Sequence, residues 1–111
     1  MAEQKKAKDY RKTKGFRILQ QALLENLRSR GLDQEACTDK VEEYMNFWVL
    51  QKQLDDDISQ RGLTVIDDRG RQTENRSVSL KIQVSKQMLA LFNAMGFKPS
   101  DFMGLGADDE L

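Results

Sequence analysis

The chain contains 111 residues, of which 39% are hydrophobic and 32% are charged, and its 18 basic and 18 acidic side chains balance to a net charge of zero. A chain of this length forms one domain with one modest core, and this composition is typical of a helix-rich soluble protein. It has no histidine and a single cysteine, Cys37, which excludes an intrachain disulfide, a Cys/His zinc site and histidine-based acid–base catalysis.

The balanced net charge conceals a strongly basic N-terminus. Within residues 1–17, seven basic side chains face only Glu3 and Asp9, which leaves this segment at +5 and the rest of the chain at −5. A basic arm of this kind commonly neutralises nucleic-acid phosphates, and a solvated terminus that only aids solubility has the same composition. We expect residues 1–14 to form a flexible basic arm ahead of a single helical domain at residues 15–99.

Two helices are predicted in the first half of the domain. Apolar residues at helical spacing predict a first helix over residues 16–30, and Gly31 supplies its C-terminal stop. After a polar connection of seven residues, Thr38 or Asp39 is expected to cap a second helix over residues 39–61.

The second helix carries apolar residues on two different faces. One face holds Val41, Tyr44, Met45 and Trp48, and the other holds Phe47, Leu50, Leu54 and Ile58. One of these stripes packs against the core of the chain itself. The other needs a partner, which is either another helix of the same subunit or a neighbouring copy.

A β-hairpin over residues 63–74 is predicted to follow the second helix. Residues 63–66 are apolar and β-branched, Asp68-Arg69-Gly70 has turn composition, and residues 71–73 form the returning strand. A ribbon this short is marginally stable alone, so we expect it to lean on a helix or on another subunit.

A third helix is predicted over residues 77–95, with Asn75 or Ser77 as its cap. The alternation of apolar and polar residues between positions 78 and 84 is also typical of a strand, which is the alternative. Helix is preferred because two apolar stripes, one on each side, continue unbroken to Gly96, which closes them as a C-terminal cap. One stripe holds Val78, Ile82, Leu89 and Phe92, and the other holds Leu80, Val84, Met88, Leu91 and Met95.

The additional apolar faces of the second and third helices predict self-association. The fold class expected is mainly α, with three helices and a short β-hairpin between the second and third, in a ring-forming assembly. The expected interface residues are Phe47, Leu50, Leu54, Ile58, Leu80, Val84, Leu91 and Met95. In the alternative arrangement, the first and third helices cover both faces of the second within one subunit.

A family resemblance extends over residues 41–102. A glycine ends the long helix, a second glycine lies in the turn, an asparagine caps the next helix, and a Gly-apolar-x-Pro sequence closes the region; these are Gly62, Gly70, Asn75, Gly96, Phe97 and Pro99. In this order and spacing the chain resembles the small terminase subunits of one family of tailed bacteriophages and prophages. It departs from that family at Arg76, where proline is usual, and at Ser100, where arginine is usual.

The resemblance implies a non-catalytic subunit that binds double-stranded viral DNA at the packaging-initiation region, assembles into a ring, and recruits and regulates a large ATPase–nuclease subunit. The chain contains no Gly-rich loop ending in Gly-Lys-Ser/Thr, so no ATP-binding motif is present. No cofactor, metal or enzymatic activity is expected. Since no apolar run approaches the roughly 20 residues that span a bilayer and no signal core follows the N-terminal lysines, we expect no membrane contact and a location in the host cytoplasm.

The DNA-binding residues expected from charge lie in the arm, at the start of the first helix and in the hairpin loop. They are Lys5, Lys6, Lys8, Arg11, Lys12, Lys14, Arg17, Arg69 and Arg71. Such side chains act as phosphate counterions, which position a protein on DNA without reading its bases.

Two acidic clusters invite other interpretations. Three adjacent carboxylates on a helix point about 100° apart and do not converge on one metal ion, so Asp55-Asp56-Asp57 is interpreted as a solvated face. Residues 100–111 contain Asp108-Asp109-Glu110 and are expected to form an acidic flexible tail, for which docking of the large subunit is a hypothesis. The alternative functions are a small helical transcriptional regulator that binds DNA and a structural adaptor that binds only protein.

Overall fold

The computed structural model describes residues 8–105. The elements in chain order are a 3₁₀ turn at Tyr10–Lys12, helix α1 at Lys14–Ser29, helix α2 at Glu35–Arg61, strand β1 at Thr64–Ile66, strand β2 at Gln72–Glu74, helix α3 at Arg76–Ala94 and a second 3₁₀ turn at Pro99–Phe102. The predicted arrangement of three helices with a hairpin between the second and third is confirmed.

Helix α1 begins two residues earlier than predicted because Thr13 caps it. The Thr13 hydroxyl accepts a hydrogen bond from the backbone N–H of Phe16 at 3.3 Å, which satisfies one of the free donors of the first turn. The helix buries Phe16, Leu23 and Leu27 along one side, as the apolar spacing predicts.

Helix α2 begins at Glu35, four residues before the predicted start. Thr38 and Asp39 are therefore not its caps: the Thr38 hydroxyl donates to the Glu35 carbonyl inside the first turn, at 3.1 Å. The N-cap position is occupied by Gln34, whose side chain makes no capping bond. Residues 35–37, which the sequence places in the connection, belong to the first turn of the helix, and the connection shrinks to residues 30–34.

The hairpin has the predicted position, with its second strand one residue later than the sequence predicts. Thr64, Val65 and Ile66 pair antiparallel with Glu74, Thr73 and Gln72 respectively. Gly70 closes the turn at φ +76°, a left-handed conformation that glycine adopts without strain.

Helix α3 is a helix throughout, so the strand alternative for residues 78–84 is wrong. The Asn75 side chain caps it by accepting from the Ser77 N–H at 3.0 Å. Its buried residues, Ser77, Val84 and Met88, recur at helical spacing.

Helices α2 and α3 form an antiparallel pair along their whole length. Ser77 binds Asp57 at one end, Ser85 binds Gln51 in the middle, and Phe92 packs beside Tyr44 toward the other end. Helix α1 packs against the N-terminal half of α2, where Leu27 lies near Cys37 and Phe16 lies beside Trp48. The core of the described residues combines all three helices: Phe16, Leu23, Leu27, Val41, Met45, Trp48, Val49, Leu54, Val84, Met88, Met95 and Phe97.

The folded unit extends beyond both predicted domain boundaries. At the C-terminus, Phe102 joins Phe92 and Phe97 in an aromatic cluster, with ring centroids 5.4–5.8 Å apart. At the N-terminus, Tyr10 packs its ring edge against Trp48, 6.3 Å between centroids. Residues 10–14 and 99–102 are therefore packed parts of the domain, whereas the remaining arm and tail residues, 1–7 and 106–111, lie outside the described residues.

Candidate nucleic-acid interface and partner surfaces

The basic segment, residues 8–17, is attached to the flank of helix α2 by Tyr10. The Tyr10 hydroxyl donates a hydrogen bond to the Asp56 carboxylate, and its ring lies edge-on to Trp48. Trp48 also contacts Phe16 of α1, 5.8 Å between centroids. One aromatic residue thus fixes the basic segment against two helices.

The hydrogen bond to Asp56 changes the acidity of Tyr10. It raises the pKa of the Tyr10 hydroxyl to about 12, and burial and the negative charges of Asp56 and Asp55 act in the same direction. The cause is that the carboxylate stabilises the protonated phenol and disfavours a second negative charge beside it. The attachment is therefore intact at neutral pH.

The positive charges of the basic segment remain at the surface. The side chains of Lys8, Arg11, Lys12, Lys14 and Arg17 are all exposed, while Lys5 and Lys6 lie outside the described residues. Arg11 donates to the Asn46 side chain, and Lys12 stands 3.9 Å from the Asp9 carboxylate with its side chain 83% exposed. Exposed ion pairs of this kind are weak, so they do not prevent the segment from binding phosphates.

Arg69 and Arg71 lie on a separate segment, at the tip of the hairpin. Asp67 organises this turn: one carboxylate oxygen accepts from the backbone N–H groups of Arg69 and Arg71 at 2.9 and 2.8 Å. The Arg71 guanidinium binds the other oxygen at 3.3 Å, and both arginines are exposed. Among the described residues, the predicted DNA-binding cations therefore lie in two places, one beside α2 and one at the tip of the hairpin beyond its C-terminus.

The acidic cluster is not a simple solvated face, because each carboxylate binds a different part of the chain. Asp55 pairs with Lys81 of α3 at 2.5 Å, Asp56 accepts from Tyr10, and Asp57 holds the start of α3. Their divergence, about 100° per residue, is what allows three contacts in three directions. Within residues 8–105, no group of three or more Asp, Glu, Cys or His side chains has the geometry to hold a metal ion.

Asp57 is the centre of a polar cluster that fixes the base of the hairpin. It accepts two hydrogen bonds from the Arg61 guanidinium, at 2.7 and 2.8 Å, and one from the Ser77 hydroxyl at 2.6 Å. The fully buried Asn75 amide bridges Asp57 and the Gly62 carbonyl at 3.1 and 3.0 Å. The Arg61 bonds, followed by that of Ser77, hold the pKa of Asp57 well below its usual range.

The sequence predicts Asn75 as a cap but does not predict this cluster. The only signal in the sequence is that an acidic residue and an arginine stand four apart at the end of a helix, as Asp57 and Arg61 do. The contact of Asn75 with Asp57 forms because the hairpin brings the start of α3 back to the end of α2. The spacing of residues along the sequence does not predict that arrangement.

The predicted interface residues fall into two groups in the structure. Leu54, Val84 and Met95 are buried in the core of the chain itself, so these three are corrected to core residues, and Phe47 and Leu91 are partly buried against the same core. The reason is that α3 covers the second stripe of α2 within the subunit, as the alternative arrangement proposed. Leu50, Ile58 and Leu80 keep solvent-accessible surface.

The opposite stripe of α3 is the one that is exposed. Ile82 and Leu89 face solvent, and with Val78 they line an apolar groove that Ile58 and Leu63 complete. The periodicity of the sequence predicts both stripes of α3, and the α3 residues expected at an interface belong to the stripe that α2 largely covers. Periodicity alone does not tell which face the neighbouring helix covers.

Comparison with known proteins identifies the family. A sequence profile described as "Phage terminase, small subunit" matches residues 20–110. The chain belongs to the phage terminase small subunit family. No curated protein and no solved structure matches the chain.

Membership places this terminase small subunit in phage DNA packaging. The matched region takes in most of α1 and all of α2, the hairpin and α3, but it leaves out residues 1–19 and with them the basic segment. The glycines and the asparagine on which the resemblance rests have defined roles in this fold: Gly62 ends α2 and Asn75 caps α3. None of the helices in the described part of the chain is apolar and long enough to cross a membrane.

Proposed function

We propose that this terminase small subunit is a non-catalytic DNA-recognition subunit that binds double-stranded viral DNA through its basic segment. The observation that carries the proposal is the attachment of this segment by Tyr10: the chain is held against α2 there, while the five cations of residues 8–17 stay exposed. Cations held in place lose less conformational entropy on binding phosphates than those of a free chain. Arg69 and Arg71 form a second phosphate contact on the hairpin.

The proposal includes assembly and recruitment. Several copies in a ring multiply weak phosphate contacts by raising the local concentration of cations along the DNA. Helices α2 and α3 build this ring, and the chain recruits the large ATPase–nuclease subunit in the host cytoplasm. The C-terminal segment is the proposed docking element, since Met103 is 82% exposed and acidic residues follow it. Retained large-subunit binding after deletion of Met103–Leu111 would remove that docking role.

The packing of α1 favours this function over a helix-turn-helix regulator. Phe16 of α1 lies beside Trp48 of α2, and Leu27 shares a cleft with Cys37 of α2, so the two helices run antiparallel. In a helix-turn-helix, by contrast, they cross at about 90–120° so that the second can enter the major groove.

The test compares two triple variants of equal charge change. In the first, Lys8, Lys12 and Arg17 become glutamine; in the matched control, Arg28, Lys40 and Lys98 do, and all six side chains are exposed. We expect the first variant to weaken binding to a DNA duplex and to lower the slope of log affinity against log salt by up to about 0.9 for each phosphate that it no longer neutralises. The measurement is fluorescence anisotropy over a series of salt concentrations.

The control variant is expected to bind close to the unmodified protein. Equally weakened binding in the two variants would show that net charge alone governs affinity and that the basic segment is not the DNA site. No affinity of the unmodified protein for DNA at low salt would favour the adaptor that binds only protein.

A further inference from the structure

The last described residues of the chain lie beside helix α1. Residues 101–105 line one side of a surface groove, and the second half of α1 lines the other. The α1 residues along this groove are Ala22, Glu25, Asn26 and Ser29. The backbone N–H of Leu105 donates to the Phe102 carbonyl at 3.0 Å, and Phe102 packs in the aromatic cluster. Residues 106–111, named here the acidic segment, therefore start from a defined point beside α1.

The acidic segment carries three negative charges, Asp108, Asp109 and Glu110, and no positive charge. The groove from which it starts is acidic as well, because Glu25 and Asp101 line it. Like charges repel, so the carboxylates of the segment are disfavoured in the groove. They are attracted instead to cations farther along the surface.

Two cations at the start of α1 are placed to receive these carboxylates. Arg17 and Lys14 precede Ala22 by five and eight residues, which is about 8 and 12 Å along the helix axis. Lys14 also precedes Glu25 by eleven residues, or about three turns, so it lies on the same side of α1 as the groove. Both cations are exposed, and Arg17 forms no ion pair within residues 8–105.

Arg28 lies closer to the groove but is a weaker candidate. Glu25 stands three residues before it on the same face of the helix, and the negative charge of Glu25 offsets that of the arginine. The first turn of α1, by contrast, contains no acidic side chain. Lys14 and Arg17 are one turn apart there, so their positive charges add.

The acidic segment is long enough to reach both cations. An extended chain spans at most about 3.6 Å per residue, so Asp108 reaches roughly 11 Å and Glu110 roughly 18 Å from Leu105. These lengths cover the distances to Arg17 and Lys14. Because the segment is tethered, its carboxylates have an effective concentration in the millimolar range, at which even weak exposed ion pairs form.

We propose that the acidic segment pairs with Lys14 and Arg17 of the same chain and competes with DNA phosphates for them. This inference rests on the proposed DNA binding and adds its regulation. The contact is autoinhibitory: it lowers the affinity for DNA without abolishing it, because the other cations of the basic segment stay available. A partner that takes up the acidic segment frees both cations, and by linkage it raises the affinity for DNA.

The contact itself is tested without DNA, by zero-length cross-linking with a carbodiimide, which joins a carboxylate to an amine that it touches. We expect the acidic segment of the unmodified protein to be linked chiefly to Lys14. The link is identified by mass spectrometry of the monomer band from a denaturing gel. Absence of a link from the segment, links chiefly to Lys40, Lys86 or Lys98, which are exposed elsewhere, or links only between chains would each overturn the proposal.

The competition is tested with two triple variants of equal charge change. One carries Asp108→Asn, Asp109→Asn and Glu110→Gln. The matched control carries Asp33→Asn, Asp39→Asn and Glu42→Gln, three exposed positions. We expect the first variant to bind a DNA duplex about three- to tenfold more tightly than the control at low salt, as the loss of two exposed ion pairs predicts, and the difference to vanish at high salt. Equal affinities of the two variants at low salt would show that net charge alone governs binding.

A second background assigns the effect to the two cations. In a chain carrying Lys14→Gln and Arg17→Gln, neutralising the acidic segment is expected to raise the affinity for DNA no more than the control substitutions do. Persistence of the full gain in this background would mean that the segment pairs with other cations, such as Arg28, and would overturn the assignment. Fluorescence anisotropy measures all of these affinities.

Failure of this inference is distinguishable from failure of the proposed function. A chain that forms the link to Lys14 but binds no DNA in any variant would refute DNA recognition and leave the contact standing. A chain that binds DNA but forms no link, and gains no affinity when the acidic segment is neutralised, would refute the contact alone.

Discussion

At the scale of single residues, Asn75 does more than cap a helix. Its amide joins the end of α2, the start of the hairpin and the first turn of α3, and it is completely buried. A buried polar side chain of this kind is stabilising only while all of its hydrogen bonds are made. The geometry of the hairpin base therefore depends on one side chain.

Asn75→Ala is expected to lower the free energy of unfolding by about 2 kcal/mol, since it removes an N-cap and leaves buried partners unpaired. Asn93→Ala is the matched control, because Asn93 is exposed near the end of the same helix. The measurement is urea unfolding of both variants. Equal stability of the two would contradict the role assigned to the cluster.

At the scale of elements, the basic segment depends on the bond between Tyr10 and Asp56. Because folding raises the pKa of the Tyr10 hydroxyl from about 10 to about 12, this bond contributes stability that is fully present below pH 10. The contribution disappears as the pH rises through 10 to 12 and the phenol ionises. The segment is therefore expected to detach from α2 in this alkaline range.

Asp56→Asn is expected to bring the pKa of Tyr10 down toward its ordinary value, because the carboxylate is the largest cause of the shift. The measurement is an absorbance titration of tyrosinate in a Tyr44→Phe background, in which Tyr10 is the only tyrosine. Asp68→Asn, in the exposed hairpin turn, is the matched control. A titration that Asp56→Asn leaves unchanged would show that Tyr10 does not bind Asp56.

The sequence predicted the helices and strands better than it predicted which of their faces pack together. Helical spacing and glycine stops predicted three helices and the hairpin, because these signals are local. The start of α2 was missed since Gln34 makes no side-chain cap, which leaves no residue for a capping rule to detect. The choice of exposed stripe on α3 was also missed, because it is decided by tertiary contacts with α2.

The candidate site was predictable only in its charges. The basic residues were identified from composition, and their exposure agrees with that choice. The role of Tyr10 was not predicted, because its partners Trp48 and Asp56 are 38 and 46 residues away in sequence. Contacts of that kind arise from how the helices pack, and one sequence carries no local signal for them.

At the scale of the whole molecule, the proposed DNA contacts and the proposed assembly use different surfaces of the chain. The basic segment and the hairpin tip present cations, while the α2–α3 pair exposes apolar side chains such as Ile82 and Leu89. This separation predicts opposite responses to salt: phosphate contacts weaken as ions screen them, whereas burial of apolar surface does not. Assembly and DNA binding are therefore separable by changing one solution condition.

The decisive measurement is the native mass of the unmodified protein, determined by light scattering at low and at high salt. We predict a particle of many subunits whose mass is the same in both conditions, because apolar side chains of α2 and α3 hold it together. A monomer or a dimer would contradict the proposed ring, as would a large particle that dissociates at high salt.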